Sequence, residues 1–364
     1  MQLVPLAVAI CVSLAIGEIH AAHADEGTVS VRGAYYKEKA TRVAQPMVDA
    51  DLEVGDGGRF AGHFLVDSIT SASVAAGATT EPFTETRYEL GGNYIHEIGD
   101  LRIGGGGRVS YEPDYTSLFA VIQGELDVAD KNATVGVALA QGRDSISNAG
   151  LQDGMAPEIT GTLNTTLASV SVSQIITPEI IASATYDLVY LSGFQENVYR
   201  AVPAGGIFEP ERVPDTRIRN AAAANIRGFV EKTRTTAVAS YRLYFDDWGI
   251  VGHTPELRVI QELMRDLDVH LRYRFYKQSQ AEFYKEIYNT ADPEMEPFLT
   301  ADQKLSNQRT QIFGVKADGA LSVLGITGRF ENARLSALFE YTTQTTSFGN
   351  AIAGQVAFSV PFEY

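Results

Sequence analysis

The chain has 364 residues, enough for two soluble domains or one large barrel. Its formal net charge of -16 argues against a nucleic-acid partner, because phosphate binding needs a basic face. Beyond the N-terminus no apolar run approaches the roughly 18 uncharged residues of a spanning helix, which excludes a helical membrane bundle.

Met1 to Ala24 reads as a signal peptide. An apolar stretch from Leu3 to Ile16 leads to Ala22-His23-Ala24, an A-x-A cleavage pattern ahead of Asp25, although no Lys or Arg precedes it. Cys11, the only cysteine, lies inside this segment, and Ile10 before it is not the small residue a lipoprotein signal wants. A chain cut at Ala24 has no thiol for a disulfide, a nucleophile or a metal.

From about residue 28 the dominant period is two. Leu267, Val269, Leu271, Tyr273 and Phe275 share one face, with Asp268, His270, Arg272 and Arg274 on the other. Sixteen such segments are expected, near 28–38, 42–54, 59–74, 83–98, 100–112, 115–129, 132–143 and 160–176 in the first half. The second half supplies 179–194, 216–231, 233–246, 249–262, 266–280, 305–318, 331–344 and 351–364. The alternative count is fourteen, since 319–332 with Gly319, Gly325 and Gly328 is hard to place. Each segment is long enough to cross a bilayer as a tilted strand.

The connectors alternate in length. Gly99-Asp100, Asp130-Lys131-Asn132, Thr177-Pro178-Glu179 and Glu231-Lys232 are tight and follow even-numbered strands. The stretches 144–159, 195–215 and 281–304 are long and follow odd-numbered ones. Short periplasmic turns and longer external loops are the habit of an outer-membrane barrel. The fold expected is therefore an all-β, antiparallel, up-and-down transmembrane β-barrel over 25–364. At its end Val356, Phe358, Val360, Phe362 and Tyr364 form an alternating ladder that resembles the assembly signal read by the outer-membrane insertion machinery. A soluble protein would gain nothing by such an edge. Pro361, which cannot donate to a ladder, must sit where the strand leaves the sheet or where the missing donor is harmless.

The inward faces are charged. Arg217, Arg219 and Arg227 fall on one strand, Arg242 on the next, Arg258 on the third, and Arg272 with Arg274 on the fourth. Rings of arginine attract anions. Interleaved Asp187, Asp246, Glu256 and Asp268 favour salt-bridge ladders instead. Asp49, Asp51, His63 and Asp67 share one parity and form a weak candidate for a divalent cation, outweighed by a plain polar wall. Gly104 to Gly107 lacks the Lys-Ser/Thr of a phosphate loop, and no helix follows; such a run permits bending or close backbone approach. The mature histidines, His63, His96, His253 and His270, sit in no Ser or Cys motif, so no enzyme is expected. No cofactor is expected either.

The chain resembles a family of bacterial outer-membrane barrels known as domain of unknown function 3570. The likeness rests on Asn197-Val198-Tyr199-Arg200-Ala201-Val202, Trp248-Gly249-Ile250, His253-Thr254 and Glu256-Leu257. It continues at Tyr273-Arg274-Phe275-Tyr276, Ala281-Glu282-Phe283-Tyr284, Asp302, Lys304-Leu305-Ser306 and Asp67 to Ser73. The resemblance implies an exported barrel and no established activity. Its blocks gather at strand ends and loops, which makes Tyr199, Arg200, Trp248, His253 and Tyr284 candidates for an external mouth. The function expected is a porin-like channel for small polar or anionic solutes. The alternative is a closed barrel whose loops hold a partner, lipopolysaccharide or metal. Outer-membrane lipid, lipopolysaccharide and the assembly machinery are the partners expected.

Overall fold

The computed structural model describes residues 26–39, 41–71, 83–148 and 159–363. The proposed signal peptide, Tyr364 and most of the 144–159 loop lie outside these residues. Alternating side chains dictate strands, and strands dominate. The first nine are β1 (Glu26–Lys37), β2 (Thr41–Glu53), β3 (Gly58–Ser71), β4 (Phe83–Ile98), β5 (Leu101–Tyr111), β6 (Tyr115–Val128), β7 (Ala133–Ser147), β8 (Thr160–Thr177) and β9 (Ile180–Gly193). A small hairpin follows, β10 (Ala201–Ala204) and β11 (Ile207–Pro210). The remainder are β12 (Thr216–Val230), β13 (Thr235–Asp246), β14 (Val251–Met264), β15 (Leu267–Gln278), β16 (Gln308–Ala320), β17 (Arg334–Gln344) and β18 (Ala351–Glu363).

All but the β10–β11 hairpin close into one antiparallel barrel of sixteen strands, in which neighbours in sequence are neighbours in space. The higher of the two expected counts is the observed one. The awkward stretch after β16 forms two short 3-10 turns, Leu321–Leu324 and Gly328–Phe330, not a strand. Closure comes from β18 pairing with β1, from Glu26↔Glu363 to Lys37↔Ile352. Pro361 registers with Thr28, but β17 has already stopped at Arg334↔Ser359. The proline therefore sits beyond the last partner on that side, where a missing N–H disturbs little.

The pleat sorts side chains between two faces. The outward face is apolar and open, with Leu90 62% and Ile122 65% exposed and Leu139, Leu257 and Leu271 beside them in kind. Such a continuous exposed apolar band far exceeds the patches of ordinary soluble monomers. Exposed aromatic residues mark its borders: Tyr35, Tyr111, Tyr190 and Tyr341 near the long-loop end, and Phe60, Tyr94 and Phe229 near the short-turn end. The inward face carries the polar and charged residues. Val356 and Phe362 are exposed on the outward side, in step with Phe358 and Val360.

Gly104 to Gly107 lie inside β5, paired with β4 and β6. A Cβ at Gly106 would meet the Gly92 carbonyl oxygen at 2.5 Å, and one at Gly105 would meet that of Val121 at 2.9 Å. The run serves close approach of backbones, as its sequence suggests.

Candidate functional site

The long-loop end is a small folded layer. The segment between β9 and β12 and the segment between β15 and β16 join through isolated bridges, Ala204↔Tyr288 and Arg212↔Leu299. Val202, Ala204, Tyr288 and Leu299 make one apolar cluster. A second gathers Val213, Trp248, Ile250, Ala281, Tyr284 and Leu305. Loops that bury apolar side chains this way are held by packing and not merely tethered. The Tyr288 hydroxyl accepts from the Thr300 N–H at 2.8 Å and donates to the Phe283 carbonyl.

Charge is buried in the same layer. Arg200 Nη1 lies 2.8 Å from Glu211 and 3.0 Å from Asp302. Glu211 also accepts from the Asn197 N–H at 2.7 Å and from the Thr300 hydroxyl at 2.6 Å. A buried guanidinium between two carboxylates with further donors is the geometry in which ionic groups stay charged. Of the proposed mouth residues, Tyr199, Arg200, Trp248 and Tyr284 belong to this layer. His253 does not: it is exposed on the outward wall of β14, its Nδ1 2.6 Å from the Tyr241 hydroxyl. As the third residue of β14, between the inward Gly252 and Thr254, it is forced there by the alternation of the strand.

Below the loops stands the arginine wall. Asp246 ends β13 and accepts from the Tyr244 hydroxyl at 2.6 Å and from the N–H groups of Trp248 and Ile250 at 3.1 and 2.9 Å. It also binds Arg217, at 3.0 Å from Nε. The Arg217 guanidinium lies over the Trp248 ring, 4.0 Å from its centroid, and the indole N–H donates to the Thr216 carbonyl at 3.1 Å. Arg272 bridges Glu256 at 2.8 Å and Glu340 at 2.6 Å, and Glu256 also meets Arg258 at 3.1 Å and Arg274 at 4.0 Å. The ladder reading therefore holds for Asp246 and Glu256. Asp187 instead accepts from Ser169 at 2.7 Å. Among the described residues Arg219, Arg227 and Arg242 have no carboxylate within 4.0 Å, and the buried Nε of Arg219 has no acceptor. Arg219 faces Asp246 in register, but that carboxylate is already committed to Arg217 and to its own turn.

Of the proposed set on β2 and β3 the structure brings Asp49 and His63 together and leaves Asp51 and Asp67 with other partners. Asp49 takes Arg32 at 2.6 Å and His63 at 2.8 Å, Asp51 takes the exposed Arg59 at 3.2 Å, and Asp67 is bound by Arg87. These are ion pairs along an inward wall. The carboxylates that do converge are Glu85, Glu112 and Asp114, with one oxygen of each within 4.8 Å of the others. Sequence reading missed them because they sit on a strand end and a short connector, where no spacing rule applies.

Sixteen antiparallel strands closed on themselves, apolar without and charged within, define a barrel of the outer-membrane type. Residues 74–359 match the family described as Protein of unknown function (DUF3570), and the chain belongs to it. No curated protein matches. A solved "Bacterial polysaccharide outer membrane secretin" is similar in fold, with a TM-score of 0.54 at 8% identity, covering 93% of this chain and 98% of that one. CdiB from Acinetobacter baumannii gives a TM-score of 0.51 at 8% identity, covering 93% of this chain and 61% of its own. A BenF-like porin from Pseudomonas fluorescens Pf-5 gives 0.49 at 10% identity, covering 93% and 99%.

Proposed function

We propose that the protein resides in the bacterial outer membrane and passes small polar solutes, with a bias toward anions. The observation that carries this reading is the set of inward arginines, Arg219, Arg227 and Arg242, with no carboxylate in ion-pair reach among the described residues. Sixteen strands are enough to enclose an aqueous channel, and guanidinium groups on its wall favour anions. Outer-membrane lipid, lipopolysaccharide and the insertion machinery are the partners this reading requires, with the β18 ladder as the assembly signal. The test is single-channel recording in planar bilayers under a salt gradient. Folded barrel should conduct with an anion preference that weakens on Arg219→Ala and again on Arg242→Ala. A folded barrel that stays electrically silent, or whose preference ignores both changes, overturns the proposal.

The folded loop layer favours a second reading, a closed barrel whose loops hold a partner. Trimming residues 285–298 separates the two. A channel gains conductance when the layer is thinned, whereas a binding barrel stays silent and loses its partner.

A further inference from the structure

We infer that Glu85, Glu112 and Asp114 form a calcium site that fastens the β5–β6 connector to the long loop between β9 and β12. One carboxylate oxygen of each lies within 4.8 Å of the others. That spacing suits a cation, because calcium gathers six to eight oxygens at about 2.3–2.6 Å from its centre. The donors are all hard oxygens, with no sulfur or imidazole among the three, which points to calcium and away from zinc or copper.

A second observation concerns unmet demand. Asp114 is only 7% exposed, and its Oδ1 has no hydrogen-bond partner. The buried Oε2 of Glu85 has none either. On the adjacent strand Asp67, 1% exposed, leaves its Oδ1 without a donor as well. Buried carboxylate oxygens without donors are costly, and native folds satisfy such groups with a donor, water or an ion. The neighbouring cation cannot meet the demand. Arg87 is bound to Asp67 and stands 4.0 Å from Glu112. Arg87 also stands 4.0 Å from Glu89, so this one guanidinium is shared among Asp67, Glu89 and Glu112, and no ion pair within 4.0 Å reaches Glu85 or Asp114 among the described residues.

The site has a mechanical consequence. The other oxygen of Asp114 accepts from the Tyr199 hydroxyl, so the connector already touches the loop that carries Arg200. A cation on Asp114 fixes that carboxylate and, through it, the loop. Burial, with Asp114 and then Asp67 adding repulsion and Arg87 opposing it, pushes the Glu112 carboxyl up to about 7. Burial likewise pushes the Tyr199 hydroxyl upward.

The test is calorimetry with calcium ion on the full chain refolded in an uncharged detergent, which removes lipid phosphate as a competing source of sites. One calcium per barrel is expected at pH 8, weakened at least tenfold by Asp114→Asn and by Glu112→Gln. Asp51→Asn, in the exposed pair with Arg59, should leave binding as it was. Folding of each variant is scored by heat-modifiable gel migration, and Glu112→Gln decides the matter if Asp114→Asn does not fold. No saturable binding, or binding that ignores the folded variants, overturns the inference.

Discussion

Arg200 and Asp302 form an ion pair at 3.0 Å that clasps two loops from well-separated parts of the chain. The guanidinium is buried, so losing it strands both Asp302 and Glu211 without their cation. Removing one partner of such a pair costs about 3–5 kcal/mol. Arg200→Ala should therefore open the loop layer while the barrel stays closed. Hydrogen exchange should accelerate across 197–213 and 284–302 with no change in heat-modifiable migration. Unchanged exchange would mean the clasp carries no weight.

The same pair sets an acid limit. Burial pushes the Asp302 carboxyl up, but Arg200, Lys304 and the Lys304 N–H outweigh it and hold the carboxyl below its ordinary range. A carboxylate depressed in the folded state contributes stability above its unfolded value, about 3.9, and loses it as pH falls through the folded value. The loop layer should stay protected at pH 5 and loosen only below about pH 4. Exchange protection of Tyr288 and Thr300 measured from pH 7 to pH 3 checks this.

Trp248 is the chain's single tryptophan, so its fluorescence reports on the loop layer alone. It packs edge-on to Phe283, 5.2 Å between centroids, in the cluster that contains Tyr284. Tyr284→Ala should cost about 3–5 kcal/mol locally and shift the emission to longer wavelength as water enters. His253→Ala, nearby in sequence but on the outward wall, should leave the emission where it was.

The glycine run predicts a contrast in refolding. Gly106→Val would drive a side chain against the Gly92 carbonyl and against Asn93 Oδ1, 2.8 Å from the new Cβ. No flexible side chain can yield on the carbonyl side, so the yield of closed barrel should collapse. Gly33→Ala meets nothing within 4 Å and should refold as the parent does. Densitometry of folded and unfolded gel bands measures both.

The strands were legible because the pleat imposes a period of two on any wall that is apolar on one side. Phe83–Ile98 coincides with its expected bounds, and most others agree within three residues. Arg217 with Asp246 and Arg272 with Glu256 could be foreseen because adjacent strands fix which residues are neighbours. The clasp of Arg200 and Asp302 could not, since loops carry no register. The convergence of Glu85 with Glu112 and Asp114 was hidden for the same reason. His253 was misplaced because a motif names a strand end without saying which face it occupies.

The pairing of β1 with β18 has a consequence in time. Residues at the two extremes of the chain, Glu26 and Glu363, must find each other before the outward wall has no open edge. Every other pairing around the wall joins strands close in sequence, while this one spans nearly the whole chain. Contacts of such separation form slowly, because the chain's freedom must be given up before they reward it. Closure of this seam is therefore expected to be the last step of folding. Until it shuts, β1 and β18 present two unpaired edges that a neighbouring copy could join.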